Sequence, residues 1–468
     1  MNTIGRDKWP DWVKEVVGGM KNIEIKENNG KYYCYQSTSI WNKEKKKPEK
    51  DSKYLGSVTL QGLLPSHEAN LKGIYEYGNI MLLWHLLDKN GILKSLQEIY
   101  PDDWKIILIF SMNRIIDPRP IKSMNSWYEK TYLAKKFGFS ITPKKISKVL
   151  ETVGTNWNSM EKVFDSIRED NERIIYDRSV IFSSSKNNPL LEIGHNKEHL
   201  LLTKANIVMA FSHERFLPIF FRVIPGSIHE IKTIDILIEE IGENIILVMD
   251  KGFTSKDTFE KISKKAKFIM PLKRDSTMIN YSVKMDSFFI YHDRPIKYSK
   301  YNYNSFFLYT YEDLSLKIEE ESTYFKLISQ GKKVDFREEW AGKITLISRM
   351  EMEPKDAYEM WKSRDQIEKA FDIFQNHLDV DRPYVQRQEV FQGYLFSSFI
   401  GLICYYLILK ILKNAKVNDK ISVSDVLLEV SKVYLLEIGK TEMISERSKK
   451  VRKLLKCMEL ENLWTKNG

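Results

Sequence analysis

The segment NIILVMD, residues 244–250, is a short apolar run that ends in an aspartate. Its uninterrupted apolar side chains, at positions 245–249, are typical of a strand buried on both faces of a sheet that helices cover. Asp250 follows where such a strand leaves the sheet, and ligands of α/β sheets collect at the carboxyl ends of strands. An aspartate at this position also commonly caps a turn or a helix, which is the structural alternative.

Strand and helix signals alternate around this segment. Strand patterns occupy residues 173–185, 205–212, 217–226 and 267–274, and helical patterns occupy residues 230–242 and 255–266. The first three strand patterns follow one another directly, and the later strand patterns alternate with helical patterns. This order predicts an α/β fold in which helices flank a mixed sheet.

The rest of the chain divides by pattern. Asn29-Gly30 is a hairpin signal between two strand patterns, and a helix is expected to begin near Pro354. The predicted regions are a small β unit with a basic loop at 1–60, a helical, DNA-binding region at 61–165, a core in two parts at 166–274 and 343–412, a β-rich insertion at 275–342, and a basic helical tail at 413–468.

Lysine-rich segments indicate a polyanionic partner. The chain has 73 Lys and Arg against 63 Asp and Glu, and this balance favours nucleic acid first and an anionic membrane surface second. The charged loop 42–53 either contacts phosphates or is simply solvated. Lys144, Lys145 and Lys148 lie on the early turns of a helix that Pro143 begins, and they are candidate DNA contacts or ordinary surface lysines.

Cysteine spacing and hydropathy bear on the compartment. The three cysteines are far apart, which argues against a disulfide scaffold or a zinc site and for a reducing compartment. The N-terminal residues show no apolar stretch of a signal peptide. Residues 393–410 are uncharged until Lys410 and borderline for a membrane span, and we interpret them as a core helix. We therefore expect a cytoplasmic protein without membrane contact.

A second aspartate, Asp177, interrupts an apolar strand pattern, where aspartate is disfavoured. If its strand lies beside the one that precedes Asp250, the two carboxylates come close together, and each resists ionisation. A divalent cation removes that penalty, and Mg²⁺ prefers oxygen ligands of this kind.

The third acidic residue lies in a helical pattern at 358–378. At about 100° per residue, Trp361, Arg364, Glu368 and Gln375 fall on one stripe of this helix. Taken alone, Arg364 and Glu368 are best read as an ion pair on a solvated face. Together with the strand acids they fit two-metal phosphoryl transfer, in which Arg364 neutralises a phosphate or anchors Glu368.

At these residues the chain resembles the DDE transposases of bacterial and archaeal insertion sequences, in particular the insertion-sequence-four superfamily with its Tyr-Arg-Glu-Lys signature. The matching blocks are YDRS, GHNKEH, FFRVIPGSIHE, LVMDKGF and RDQIEKAF. The resemblance implies an RNase H-like sheet, with a β insertion before the helix that carries the glutamate.

The resemblance also implies the roles of the site residues. Asp177, Asp250 and Glu368 are expected to be catalytic and to bind two Mg²⁺ ions, for which Mn²⁺ substitutes. Arg364, Trp361 and Gln375 occupy signature positions and are expected to contact DNA, although the last two depart from the signature tyrosine and lysine. Trp340, at the end of the insertion, either stacks on an extruded base or packs in the core.

The implied function is metal-dependent cleavage at transposon ends followed by transfer of the 3′-hydroxyl strand into target DNA. The implied partners are the terminal inverted repeats, the target DNA and a second copy of the chain, in the nucleoid of a prokaryotic cell. Two alternatives remain open: a non-catalytic descendant that regulates or inhibits transposition, and a structural or membrane-associated basic protein. Three histidines and an asparagine in or near the matching blocks are expected to be structural or to contact DNA: His195, His199, His229 and Asn206.

Overall fold

The fold is described from a computed structural model of the chain. The described residues are 2–42, 46–65, 71–169, 172–183, 185, 188–193, 203–227, 246–250, 256–380, 383, 385–439 and 441–464. The chain forms two compact units. The first comprises Met1–Leu86, Lys122–Thr142 and Ile411–Gly468, and the second comprises Leu87–Ile121 and Pro143–Lys410.

The helices of the described chain are numbered in chain order. Helices α1 to α15 are Asp11–Val17, Gly78–Lys89, Ile92–Ile99, Trp104–Ile116, Met124–Tyr128, Tyr132–Phe137, Pro143–Thr155, Trp157–Ile167, Lys256–Lys265, Leu314–Ser329, Pro354–Lys362, Asp365–Asp372, Gln388–Asn414, Val423–Val430 and Lys449–Cys457.

The strands are numbered in the same way. Strands β1 to β18 are Asn2–Ile4, Ile23–Asn28, Lys31–Asn42, Lys47–Thr59, Gly62–Pro65, Leu71–Glu76, Arg173–Ser183, Glu192–Ile193, Thr203–Ser212, Leu217–Pro225, Ile246–Val248, Lys267–Pro271, Ser287–Tyr291, Arg294–Tyr303, Phe306–Asp313, Lys343–Ser348, Tyr434–Ile438 and Thr441–Ile444.

The first unit contains an antiparallel sheet in the order β1-β2-β3-β4-β5. Asn29 and Gly30 both have positive φ, 50° and 74°, as a two-residue hairpin turn between β2 and β3 requires. The predicted hairpin is therefore confirmed. Helix α1, which the sequence pattern did not predict, buries Val13 and Val17 against this sheet. Trp12 and Val16 also pack against this core, so the apolar spacing at positions 12, 13, 16 and 17 was the available signal for the helix.

A second sheet of the first unit joins distant parts of the sequence. Strand β17 pairs antiparallel with both β6 and β18. The C-terminal region therefore contains strands as well as helices α14 and α15. The sequence pattern indicated only helices here, because these strands are short and their pairing with β6 is set by long-range contacts.

The second unit is built on a mixed sheet in the order β10-β9-β7-β11-β12-β16-β15-β14-β13. Strands β7, β9 and β10 are antiparallel neighbours, whereas β11 runs parallel to both β7 and β12. The first five core strands thus have the order 3-2-1-4-5 of an RNase H-like sheet, counted without the two-residue strand β8. The predicted mixed sheet with flanking helices is confirmed.

The predicted insertion extends this sheet. Strands β13, β14 and β15 form an antiparallel meander that joins the core through β16. Strand β16 corresponds to the expected closing strand KITLIS, and it also pairs with β12. Helix α10, of 16 residues, follows β15 and has no buried residue.

Helix α13 is the apolar segment that the sequence left open between a core helix and a membrane span. By length and composition it could cross a membrane, but most of its apolar stretch is buried within the structure. It packs closely on α7 and α4: a Cβ added at Gly393 would overlap the carbonyl oxygen of Leu150, and Ser111 Oγ lies 2.7 Å from the carbonyl oxygen of Ser397. This packing favours the interpretation as a core helix.

We predict that Gly393→Ala destabilises the protein by about 2 kcal/mol or more, because the added methyl group must displace the backbone of α7. Urea unfolding monitored by circular dichroism measures this change. The control is Gly19→Ala, where an added Cβ meets nothing within 4 Å, and we expect a change within about 1 kcal/mol. Equal stability of Gly393→Ala and the wild type would contradict the close crossing of the two helices.

Candidate active site

Two parallel strands of the second unit bring the two predicted aspartates to neighbouring positions. Val248 of β11 pairs with Ile175 of β7. Asp250 and Asp177 each lie two residues further along the chain. Asp177 lies within β7 and Asp250 lies two residues past the end of β11, and the guanidinium of Arg364 approaches a carboxylate oxygen of each, so both carboxylates face the same side. The apolar residues that precede them, including Tyr176 and Met249, are fully buried and hold this edge in place.

The third acid, Glu368, reaches the same place from helix α12. The guanidinium of Arg364, at the N-cap of this helix, connects all three carboxylates. Its Nη2 donates to Glu368 Oε1 at 2.7 Å, and its Nη1 lies 3.4 Å from Asp177 Oδ2 and 4.0 Å from Asp250 Oδ2. The ion pair of Arg364 and Glu368 that the sequence suggested is present, and it belongs to a cluster of acids. We call these four residues the acid cluster.

Burial controls the electrostatics of the acid cluster. Burial raises the pKa of Asp177 to about 6, from an ordinary value of 3.8. The backbone N–H of Arg178, which donates to Asp177 Oδ1 at 2.8 Å, and the charge of Arg364 lower this pKa, whereas Asp250 and Glu368 raise it. The site therefore favours additional positive charge.

The chemistry of these side chains fits a hard divalent cation. Three carboxylates offer the oxygen ligands that Mg²⁺ and Mn²⁺ prefer, and the raised pKa of Asp177 indicates that its negative charge is incompletely compensated. In the arrangement shown, no three His, Cys, Asp or Glu side chains of the described residues are placed to hold a metal ion. Asp177, Asp250 and Glu368 instead surround the guanidinium of Arg364.

The helix that was predicted to run through 358–378 is interrupted. Helix α11 ends at Lys362, α12 begins at Asp365, and Ile373–His377 forms a π-helical turn. The prediction of one continuous helix is therefore wrong, and the stripe expected from its period does not extend along the segment. Two breaks in the hydrogen-bond ladder change the direction of the side chains that follow each of them.

Gln375, in the π-helical turn, is attached to the strand that carries Asp177. Its Nε2 donates to Ser179 Oγ at 3.1 Å and to the carbonyl oxygen of Val180 at 2.8 Å. The predicted DNA contact thus uses its amide hydrogens within the protein. The sequence pattern missed the contribution of Ser179, and its position two residues after Asp177 on the same face of β7 was the available signal.

The two tryptophans proposed as DNA contacts are both half-buried. Trp361 packs edge to face on Tyr358, with ring centroids 5.8 Å apart, and Lys362 Nζ lies 4.8 Å from its ring centroid. Trp340 lies with its ring centroid 6.4 Å from that of Tyr281 and 4.3 Å from Arg337 Cζ. Each indole therefore combines packing with partial exposure.

The remaining predicted residues lie apart from the acid cluster or outside the described residues. Helix α7 begins at Pro143 as predicted, and Lys144, Lys145 and Lys148 are exposed on it. Asn206 is fully buried and its Nδ2 donates to the carbonyl oxygens of Pro225 and Gly226, which indicates a structural role. The predictions that fall outside the described residues are the block GHNKEH, the helix at 230–242, His195, His199, His229 and residues 251–253.

A cavity of about 310 Å³ lies in the second unit. Its polar lining comes from Arg222 of β10 and from Gln388 and Gln392 of α13, and Arg222 Cζ lies 4.6 Å from the ring centroid of Trp157. No sequence pattern indicated this cavity, because its lining residues come from elements that are far apart along the chain.

Comparisons with known proteins find one family similarity, and it lies within the second unit. Residues 190–407 match the family model of the transposase DDE domain. Asp250 and Glu368 lie inside the matched segment and Asp177 precedes it. No curated protein matches the chain.

Among solved structures, the chain is similar to a piggyBac transposase in the cryo-EM structure of its synaptic complex with hairpin DNA. The identity is 10%, the TM-score is 0.40, and the match covers 76% of this chain and 79% of that chain. At this level the similarity supports no conclusion about this chain.

Proposed function

We propose that this protein is a DDE transposase that cuts DNA at the ends of its own element and joins the released 3′ ends to target DNA. The observation that carries the proposal is the meeting of Asp177, Asp250 and Glu368 around Arg364, in a unit that matches the transposase DDE domain. Acidic side chains from separate parts of the chain meet here in one ion-paired cluster. A cluster that contains a group with a perturbed pKa, as Asp177 has, is a candidate functional site.

Bound to Asp177, Asp250 and Glu368, two Mg²⁺ or Mn²⁺ ions would supply the Lewis acidity that phosphodiester cleavage and strand transfer need. The protein's own contribution is position and charge. Strands β7 and β11 hold the two aspartates in register, and α12 supplies Glu368 from above the sheet. Arg364 orients Glu368, and a guanidinium is also suited to bidentate hydrogen bonding with two phosphate oxygens.

The proposed DNA contacts divide by exposure. Lys144, Lys145 and Lys148 are exposed on α7 and are suited to phosphate contacts. Trp361 and Trp340 offer partly exposed aromatic surfaces for stacking. For Gln375 we propose a different role, because both hydrogens of its amide are used by β7: it holds the π-helical turn against the strand that carries Asp177.

The finer assignments are also proposals. The match of sequence blocks supports the insertion-sequence-four superfamily, with Trp361 and Gln375 as departures from its signature. Action on paired ends implies a homodimer on DNA, and the substrate implies the nucleoid of a prokaryotic cell. The departures also favour the alternative, a non-catalytic descendant that binds transposon ends and regulates or inhibits transposition.

We predict that Asp250→Ala lowers the rate of DNA cleavage roughly 1000-fold or more while leaving DNA binding unchanged, because it removes one ligand of the metal and none of the proposed DNA contacts. The assay uses supercoiled DNA that carries the element's inverted repeats, with Mg²⁺ or Mn²⁺. The matched control is Asp356→Ala, an exposed acid on α11. Cleavage by Asp250→Ala at the wild-type rate would contradict the proposal, and binding by the wild type without cleavage in either metal would favour the regulator.

A second prediction concerns pH. The folded state raises the pKa of Asp177 from 3.8 to about 6, so between these values the folded protein binds more protons than the unfolded chain. The free energy of unfolding, without metal, therefore falls as pH rises through this window, by at most about 3 kcal/mol from this residue.

Asp177→Asn removes this pH dependence, and we expect the variant to be as stable as the wild type near the lower end of the window and more stable above its upper end. Urea unfolding with a chelator, at several pH values, measures the difference. A constant difference between the two proteins across the window would show that Asp177 is not the titrating group.

A further inference from the structure

Strands β3 and β4 extend beyond the sheet to which they belong. Strand β2 pairs with β3 only as far as Gln36, and β5 pairs with β4 only from Gly56. Beyond these points the described strands β3 and β4 pair with each other alone, from Ser37↔Ser52 to Asn42↔Lys47, apart from a bond of the Ser37 N–H to the Asn22 carbonyl. We call residues 37–42 and 47–52 the ribbon. At ~3.3 Å per residue its length is roughly 17–20 Å.

The end of the ribbon exposes large apolar side chains. Trp41 is 60% exposed and Ile40 is 55% exposed. A two-stranded ribbon has no core of its own and is marginally stable at best in water. Trp41 pairs with Pro48, so its indole lies on one face, and Ile40 pairs with Glu49 on the other. An exposed tryptophan at the end of a projecting ribbon is expected where a partner covers it.

Charge differs between the two faces of the ribbon. Alternation places both acids, Glu49 and Asp51, on the face of Ile40 together with Lys47. The face of Trp41 contains Pro48, the serines 37, 39 and 52, and the cation Lys50, which forms an ion pair with Glu24 of the neighbouring strand. Lys46 and Lys47 are exposed where the second strand begins. The ribbon therefore presents one acid-free face, and cations stand next to its aromatic end.

This combination fits a nucleic-acid groove. A two-stranded ribbon fits the major groove of B-DNA, serines and lysines bind phosphates, and an apolar ring at the tip can contact or wedge between bases. An anionic membrane surface also attracts lysines, but the short polar side chains of the Trp41 face are better suited to hydrogen bonds with phosphate and sugar oxygens.

We propose that the Trp41 face of the ribbon binds duplex DNA, with Trp41 in contact with bases and Lys46 in contact with phosphates. This inference rests on the proposed action on DNA. It assigns a DNA-binding surface in the first unit, separate from the acid cluster of the second.

The test is equilibrium binding of the full chain to a fluorescein-labelled mixed-sequence duplex, followed by anisotropy at several salt concentrations. We expect Trp41→Ala to weaken binding about 5- to 100-fold, and Trp41→Phe to restore most of it, because base stacking needs an aromatic ring. The variant Lys46→Gln should reduce the slope of log K against log salt by about 1. The matched control is Phe325→Ala, which removes a ring that is 66% exposed on α10 of the second unit, and it should bind as the wild type does.

The outcomes separate the two proposals. If the wild type binds and cleaves DNA and Trp41→Ala does both equally well, the ribbon proposal alone fails. If the wild type binds no duplex under any condition, the proposed function fails as well. Loss of binding to phosphatidylserine vesicles in Trp41→Ala, with duplex binding unchanged, would overturn the choice of DNA. Thermal unfolding at an unchanged temperature in Trp41→Ala confirms that the comparison is between folded proteins.

Discussion

The arrangement of the acid cluster depends on the ion pairs that the guanidinium of Arg364 forms with its three carboxylates. It lies within 4.0 Å of an oxygen of Asp177, of Asp250 and of Glu368. Burial raises the pKa of Asp177, and the nearby carboxylates of Asp250 and Glu368 raise it further, because a buried carboxylate beside others resists ionisation. A delocalised, permanently charged group among them offsets part of the repulsion between the carboxylates.

The three contacts of Arg364 are unequal, and this inequality bears on function. The contact with Glu368, at 2.7 Å, is a normal charge-assisted hydrogen bond, whereas those with Asp177 and Asp250, at 3.4 and 4.0 Å, are long. A cation that binds the two aspartates therefore replaces weak contacts with Arg364, while the pair of Arg364 and Glu368 can persist. The cluster is compatible with metal chemistry for this reason, although its acids surround a guanidinium here.

The sheet and the buried helix α13 supply the rigidity that such a cluster needs. Strands β7 and β11 carry the aspartates with buried side chains immediately before them, so neither aspartate can shift without disturbing the core. Helix α13 packs behind the same face, where Tyr406 contacts Phe211 of β9, with ring centroids 5.0 Å apart. Polar groups of the site are thus held on an apolar support, which keeps their geometry stable when charge is added or removed.

Much of the framework was predictable from the sequence because its signals are local. Apolar runs mark the core strands, and Asn29-Gly30, Pro143 and Pro354 mark a turn and two helix starts by the backbone angles that these residues favour. Asp177 could be selected as a candidate because aspartate is disfavoured within a strand, and Asp250 because it ends a buried apolar run. Glu368 could be selected only together with these two acids and the family resemblance, because its helix alone indicated an ion pair on a solvated face. Their convergence on shared metal ions was an expectation, whereas the contact of all three with Arg364 was not predicted.

The tertiary structure decided the features that depend on contacts between residues far apart in the sequence. Gln375 bonds the π-helical turn to β7, and no local pattern in the sequence encodes this bond, the turn or the break between α11 and α12. The same holds for the pairing of β6 with β17 and for the projection of the ribbon beyond its neighbours. The sequence by itself determined the core strands of the second unit and the residue types they carry, because those signals are local. Only folding determined which side chains meet, because that depends on register and packing between segments far apart in the chain.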